Sequence, residues 1–293
     1  MPDTMLIEIY LFVCEQFKSG LWQHVQRFSN NMDPEFTDEE VMTIYLFGII
    51  QKRRNVKEIY DYICDHFSSW FPHLPCYGGY IQRLNRISSA FPVLCEAAKE
   101  NLPQANILRE IGMLDSFPVI MASEKRSGKA RVASFFANKG YCSSKKMYYY
   151  GVKVHVLGLR SPGTLPQPDR ALVTPASEFD LNVLEGIASE LHDIDLFVDK
   201  AYIDSQLSEQ LCPQMVHIYA PFKKKKGQEI LPLAQRAFSK AVSAIRQPLE
   251  SLFSWIGEKT GIEIASKVRS FKGLLVHVFG RLAASFLLLS LNP

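Results

Sequence analysis

Three carboxylates stand where acids are costly. Asp115 is embedded in Met113-Leu114-Asp115-Ser116-Phe117, Asp199 closes the apolar run Leu196-Phe197-Val198, and Glu250 follows Pro248-Leu249. An acid within or at the end of an apolar strand is unfavourable unless something positive answers it. Two such groups on neighbouring strands raise each other's pKa unless a cation lies between them. Magnesium suits that position, being a hard cation that takes oxygen ligands and keeps places for water and phosphate oxygens. A third acid delivered from a helix would complete a second metal position, and two ions about 3.5–4 Å apart assist phosphodiester displacement. Each acid also has a plainer reading. Asp115 can begin a turn before Pro118, Asp199 can close a strand, and Glu250 can be the third residue of a helix starting at Pro248, where it complements the dipole. Composition and spacing leave both readings open.

The elements that must hold these acids are legible in outline. Residues 107–122, 141–160 and 170–176 are rich in β-branched and aromatic residues and predict strands. Helix periodicity over 180–192 is followed by a strand-like 195–202, a short helix at 204–211 capped by Asp204, and a strand at 217–222. From about Leu231 the chain reads as helical again, apart from Pro248 and the Gly257–Gly261 region. That order predicts a mixed α/β domain around a central sheet.

The first 105 residues read as helical. Thr37 and Glu40 form a capping-box pattern ahead of Val41, Ile44 and Tyr45. A second helix runs through Ile59, Tyr60, Ile63 and Phe67, and a third spans YIQRLNRISSAF (80–91), with Arg83 and Arg86 facing outward. Three helices with a basic third one suit a helix-turn-helix-like DNA reader, and suit an ordinary helical bundle equally well. The expected division is therefore a helical DNA-binding region, 1–105, and an α/β domain with C-terminal helices, 106–293.

Net charge is only +3, yet positive residues cluster in QKRRN (51–55), SEKRSGKAR (123–131), FKKKKG (222–227) and SSKKM (143–147), the last containing Lys145 and Lys146. Local patches of this kind are the footprint of phosphate contacts. Six cysteines without a CxxC pair fit reduced thiols in a cytoplasmic protein. Cys64, His66, His73 and Cys76 are all candidate zinc ligands, but their spacing is not one that structural zinc sites favour. The start, MPDTMLIEIYLFVCEQF, lacks the basic n-region of a secretory signal. The one membrane-like stretch, LLVHVFGRLAASFLLLSL, holds His277 and Arg281 and reads as a buried or partner-facing helix.

The segments MLDSFPV, YYYGVKVHVL, LVTPASEFD, LFVDKAYID and RQPLESLFSWI, in that order, resemble the motif string of DDE transposases from bacterial insertion sequences. With the helical front and the ending SKVRSFKGLLVHVFGRLAA, the chain most resembles the insertion sequence 982 family. The resemblance spans nearly the whole chain and implies an RNase H-like core, a mixed central sheet flanked by helices, preceded by the all-helical region. It implies Asp115, Asp199 and Glu250 as a catalytic triad binding two Mg²⁺ ions, with Mn²⁺ a possible replacement. Lys153 and His155 in GVKVHV resemble a basic pair beside the active site that contacts the scissile phosphate; an exposed strand face is the alternative. Asp180 matches the turn into the helix after the third strand, as its N-cap. Arg246, four residues before Glu250, matches one member of a Tyr-Arg-Glu-Lys signature. Ser243 and Gly257 stand where its Tyr and Lys would be, and Lys259 is a candidate substitute. The implied activity is cleavage at the terminal inverted repeats of the element and joining of 3′-OH ends to target DNA. The implied partners are double-stranded DNA and a second copy of the chain, as a homodimer or higher in the DNA complex. Two further readings are a non-catalytic DNA-binding protein derived from a transposase, and a nuclease of the same fold without strand transfer.

Overall fold

The computed structural model describes residues 2–27, 34–224, 227 and 230–291. Lys225 and Lys226 of the FKKKKG cluster lie outside the described residues. Two compact units emerge. The first comprises Met1–Pro103, Arg131–Ala133 and Ile256–Pro293; the second comprises Gln104–Ala130 and Ser134–Trp255. The C-terminal segment thus groups with the front helices, where the sequence reading attached it to the sheet.

The first unit is helical: α1 (Pro2–Lys18), α2 (Asp38–Ile50), α3 (Val56–His66), α4 (Tyr77–Arg86), α5 (Ala90–Glu100) and, from the far end of the chain, α10 (Phe271–Leu291). The Thr37–Glu40 capping box is present, and Asn55 with Glu58 forms a second one at the start of α3. Helix α2 is buried on nearly every side, which explains its uniformly apolar sequence. Helix α10 packs against α5 and α2; at Gly280 a Cβ would lie 2.6 Å from the Tyr45 ring, so only glycine permits the approach. By length and composition α10 is apolar enough to cross a membrane, but most of it is buried inside the unit.

The single helix expected over 80–91 is two. Pro92 explains the break: in a continuous helix its ring would meet the Ser88 carbonyl and no N–H would be available to bond it. Helix α4 therefore ends at Arg86 and α5 restarts at Ala90, placing Pro92 in a first turn where the missing donor costs little. Arg83 and Arg86 do not face outward. With Arg27 they converge on Asp38, at 3.0 Å for Arg83 and 2.9 Å for Arg27. Burial alone would raise the Asp38 pKa, but hydrogen bonds from Arg86 and Arg83 outweigh it and hold the carboxyl below its ordinary range.

The second unit is built on β1 (Leu108–Ser123), β2 (Asn138–Cys142), β3 (Met147–Arg160), β4 (Gln167–Pro175), β5 (Ile194–Val198) and β6 (Val216–Tyr219). Strand β3 runs antiparallel to β1 along one edge, and β2 and β4 pair in succession along its other edge. On the far side of β1, β5 and then β6 join in parallel. Helix α6 (Glu124–Ser127) follows β1, α7 (Asp180–Ile187) leads from β4 into β5, and α8 (Ser205–Leu211) connects the parallel strands β5 and β6. One sheet face packs Leu114, Leu157, Leu196 and Val198 against Leu184 of α7 and Leu207 of α8. The other face receives α9 (Leu233–Thr260), whose Phe253 ring lies 4.9 Å from Phe117. The architecture is a mixed sheet between helical layers, as expected.

Helix α9 runs straight through Pro248 and Gly257, where a break was expected, and stops at Gly261, whose φ of +66° ends it in the left-handed region. Pro248 deletes one backbone bond, but Val242, Leu249 and Leu252 bury an apolar stripe on either side of it. Burial of each such side chain contributes about 1.5–3 kcal/mol, enough together to offset the proline.

Candidate active site

Strands β1 and β5 bring two of the acids together by register. Leu114 is paired with Val198, and both turn into the α7–α8 layer. The next residue on each strand, Asp115 and Asp199, consequently turns to the opposite face, toward α9. Arg246, on the buried stripe of α9, meets both: Nη2 donates to Asp115 Oδ2 at 2.5 Å, and Nη1 lies 3.7 Å from Asp199 Oδ1.

The electrostatics follow from depth. Asp115 is largely buried, and burial raises its pKa; the Arg246 charge and the Ser116 N–H, which donates to Oδ1 at 2.8 Å, work against the rise, while the Asp199 charge adds to it. Asp199 is more open, with 44% of its side chain exposed. Arg246 is itself buried, and its Nε–H has no acceptor. A buried arginine forked between two carboxylates neutralises a pair that would otherwise repel.

Glu250 lies one turn along α9 from Arg246, exposed, and makes no ion pair among the described residues. Among those residues no group of three or more His, Cys, Asp or Glu side chains is gathered so as to hold a metal ion. The structure therefore joins Asp115 to Asp199 through Arg246 and leaves Glu250 beside them. The same observation covers Cys64, His66, His73 and Cys76: the cysteines are free thiols, and His73 Nδ1 lies 3.2 Å from Glu35.

Lys153 and His155 occupy the other sheet face. Lys153 is registered with Pro118 and His155 with Ser116, one residue out of phase with the Asp115–Val156 pair. There Lys153 Nζ bonds Asp180 Oδ1 at 2.7 Å and donates to the Glu178 carbonyl at 2.5 Å. His155 is fully buried, with Nε2 at 2.8 Å from Thr174 Oγ1 and Nδ1 at 3.5 Å from the Tyr202 hydroxyl. Burial pushes its pKa down to about 4, against the pull of Asp180, so the ring is neutral at pH 7. Asp180 is not an N-cap: it is the first residue of α7, behind Phe179, and its carboxylate serves Lys153.

Tyr202 and Ser116 were not singled out from sequence. Ser116 Oγ lies 3.5 Å from Asp180, and Tyr202, wholly buried, connects to Ser116 and His155. This chain of hydroxyls links the Lys153–Asp180 cluster on one face to the residue adjoining Asp115. The available signal was Tyr202 itself, a large polar aromatic three residues after Asp199, between Ala201 and Ile203.

The remaining candidates are dispersed. Lys145 and Lys146 are exposed in the turn between β2 and β3. Lys259 belongs to the helical unit, with its ammonium 3.7 Å from Glu258. Arg83 and Arg86 are engaged with Asp38 in that same unit.

The donors around Asp115 and Asp199 are oxygens alone, which suits a hard divalent cation. The orphaned Arg246 Nε shows that the guanidinium is incompletely satisfied between them. Asp115 and Asp199, sharing one face, are chemically suited to such an ion, and Glu250 stands one helical turn from the Arg246 that joins them. A family profile described as "Transposase DDE domain" matches residues 106–267, more than half of the chain. No curated protein and no solved structure matches the chain significantly.

Proposed function

The chain belongs to the DDE transposase family, and on that premise we propose that it binds the terminal inverted repeats of a bacterial insertion sequence, cleaves phosphodiesters there and joins the freed 3′-OH ends to target DNA. The observation that carries this reading is the placement of Asp115, within β1, and Asp199, just past the end of β5, each immediately after the registered pair Leu114–Val198 and so on one sheet face. The sheet order, antiparallel on the β3 side of β1 and parallel on the β5 side, supports an RNase H-like core. The ordered motifs across nearly the whole chain support placement in the insertion sequence 982 family.

Asp115 and Asp199 would hold divalent cations, two Mg²⁺ with Mn²⁺ as a substitute, and Glu250 would contribute the third carboxylate. When bound, such ions supply positive charge that stabilises the attacking and leaving oxygens of a phosphodiester displacement. The protein's own groups do the positioning. The Ser116 N–H orients the Asp115 carboxylate, the buried β1–β5 pairing fixes the spacing of the two acids, and the fork of Arg246 offers donors suited to a phosphate oxygen. Exposed basic residues, Lys145 and Lys146 among them, serve the DNA backbone. The DNA complex contains at least two copies of the chain, since two element ends must be paired.

The test is incubation of the full chain with labelled inverted-repeat DNA, Mg²⁺ and a target plasmid. Joined products that disappear in Asp199→Asn, with DNA binding retained, support the proposal. Cleavage without joining points to a nuclease, and binding without either to a non-catalytic DNA-binding protein. An Asp199→Asn variant that cuts at the wild-type rate overturns the assignment of the acids.

A further inference from the structure

A cavity of about 370 Å³ lies inside the helical unit, bounded by the starts of α3 and α4 and by the segment 264–281 that leads into and along α10. Four cationic residues line it, Arg54, Lys267, Arg269 and Arg281, and none of the lining residues is a carboxylate. One-signed linings concentrate potential within a low-dielectric wall and attract counter-charge.

The deepest of the four carries the strongest sign of an absent partner. Arg281 is 3% exposed; its terminal nitrogens donate to the backbone carbonyls of Thr260 and Arg54, while its Nε–H has no acceptor. Its bonding partners there are those two carbonyls and the Tyr45 hydroxyl, none of them an anion, which is a poor match for a buried guanidinium. His277 does not compete for an anion as a second cation. Its Nε2 is 2.8 Å from the Ile262 carbonyl, and burial holds its pKa well below the ordinary value, so the ring is neutral.

Helix α4 adds open donors. It begins Tyr77-Gly78-Gly79, and its N-cap, Cys76, makes no side-chain capping bond. Tyr77 and Gly78 line the cavity, and no heavy atom lies within 4 Å of where a Cβ on Gly78 would sit. The backbone N–H groups of a ten-residue helix are therefore approachable at its positive end. Helix α3 offers no such site, because Asn55 and Glu58 cap it internally. Ile81, Leu84 and Val276 form an apolar wall beside the charges.

We propose that this cavity binds a nucleotide phosphate, with Lys267 and Arg269 at its exposed mouth, the first turn of α4 and Arg281 behind them, and the base against the apolar wall. Its volume is that of a small-molecule pocket. The shared chemistry is a phosphate ester joined to a flat heterocycle, delivered either by a DNA strand or by a free nucleotide. The proposal stands on the charge and shape of this cavity and does not depend on the carboxylate pair.

The full chain is titrated with a fluorescein-labelled DNA duplex, by anisotropy, and with dAMP, by calorimetry. Variants of Arg281 would also break its bonds to Thr260 and Arg54, so the exposed pair is changed instead, in Lys267→Glu/Arg269→Glu. A second variant, Gly78→Asp, places a carboxylate in the first turn of α4, where the helix tolerates it and a phosphate does not. Both variants are expected to weaken at least one probe by about tenfold or more, and the double variant to lower the salt slope of duplex binding by about 2. Loss confined to the duplex assigns a polynucleotide, and loss confined to dAMP assigns a free nucleotide. Unchanged affinities for both probes, or no binding of either by the wild-type chain, overturns the proposal. Asp199→Asn, run in parallel, retains cavity binding whatever becomes of the catalytic reading, so the two fail separately.

Discussion

Asp115 and Asp199 are the residues immediately after the registered pair Leu114–Val198 on two parallel strands, and that single step places both carboxylates on the α9 face. Whatever answers their charge must come from α9 or from solvent. In this structure it is Arg246.

Asp115 therefore carries a stability penalty at neutral pH. Its folded-state pKa is raised, so its favourable contribution is complete below the unfolded carboxyl pKa and is lost as pH rises through the folded value. Asp115→Asn, which mimics the protonated form, is expected to match or exceed wild-type thermal stability at pH 7. The difference should close on acidification below about pH 4, while DNA cleavage is lost throughout. Melting curves across that range decide it.

Asp38 has the opposite sign. Its folded pKa is lowered, so the stability it adds is present above the unfolded carboxyl pKa and disappears as pH falls through the folded value. Asp38→Asn leaves Arg27, Arg83 and Arg86 without their shared anion and should cost about 3–5 kcal/mol at pH 7. Urea unfolding of both proteins should give converging curves in strong acid.

Leu249 ties the site to the sheet: it is 1% exposed, and a Cβ on Gly158 of β3 would lie 3.0 Å from its Cδ1. Leu249→Ala should destabilise by about 2–5 kcal/mol and reduce cleavage as well, since its neighbours on α9 include Arg246 and Glu250. Leu196→Ala, on the opposite sheet face, should cost similar stability with a smaller loss of activity per folded molecule. Leu249→Met should be tolerated in both assays.

Lys153 is held by Asp180 and the Glu178 carbonyl on the face away from Asp115. Lys153→Met should lower stability by about 1–3 kcal/mol and leave the salt dependence of DNA binding unchanged. A phosphate-contacting lysine would instead lower that slope by about 1.

Local signals were readable wherever the chemistry was local. The Thr37–Glu40 box, the Asp204 cap of α8 and the strands around Asp115 and Asp199 follow from side chains within a few residues of one another. The α4–α5 break was also present in the sequence, in Pro92, but apolar periodicity runs through it unbroken. Pro248 taught the reverse lesson: the same residue type inside α9 is overridden because the helix buries Val242, Leu249 and Leu252.

By itself the sequence determined which residues carry charge in apolar surroundings, the order of strands and helices, and the motif string that marks the family. Only the tertiary structure decided which sheet face each charge meets. Side chains alternate along a strand, so a one-residue difference in pairing sends Asp115 toward α9 and Ser116, His155 and Lys153 toward α7. Likewise Arg83 and Arg86 read as a helix surface until chain folding brings Asp38, 45 and 48 residues away, against them. Register and long-range ion pairing are properties of elements meeting in space, and no local pattern encodes them.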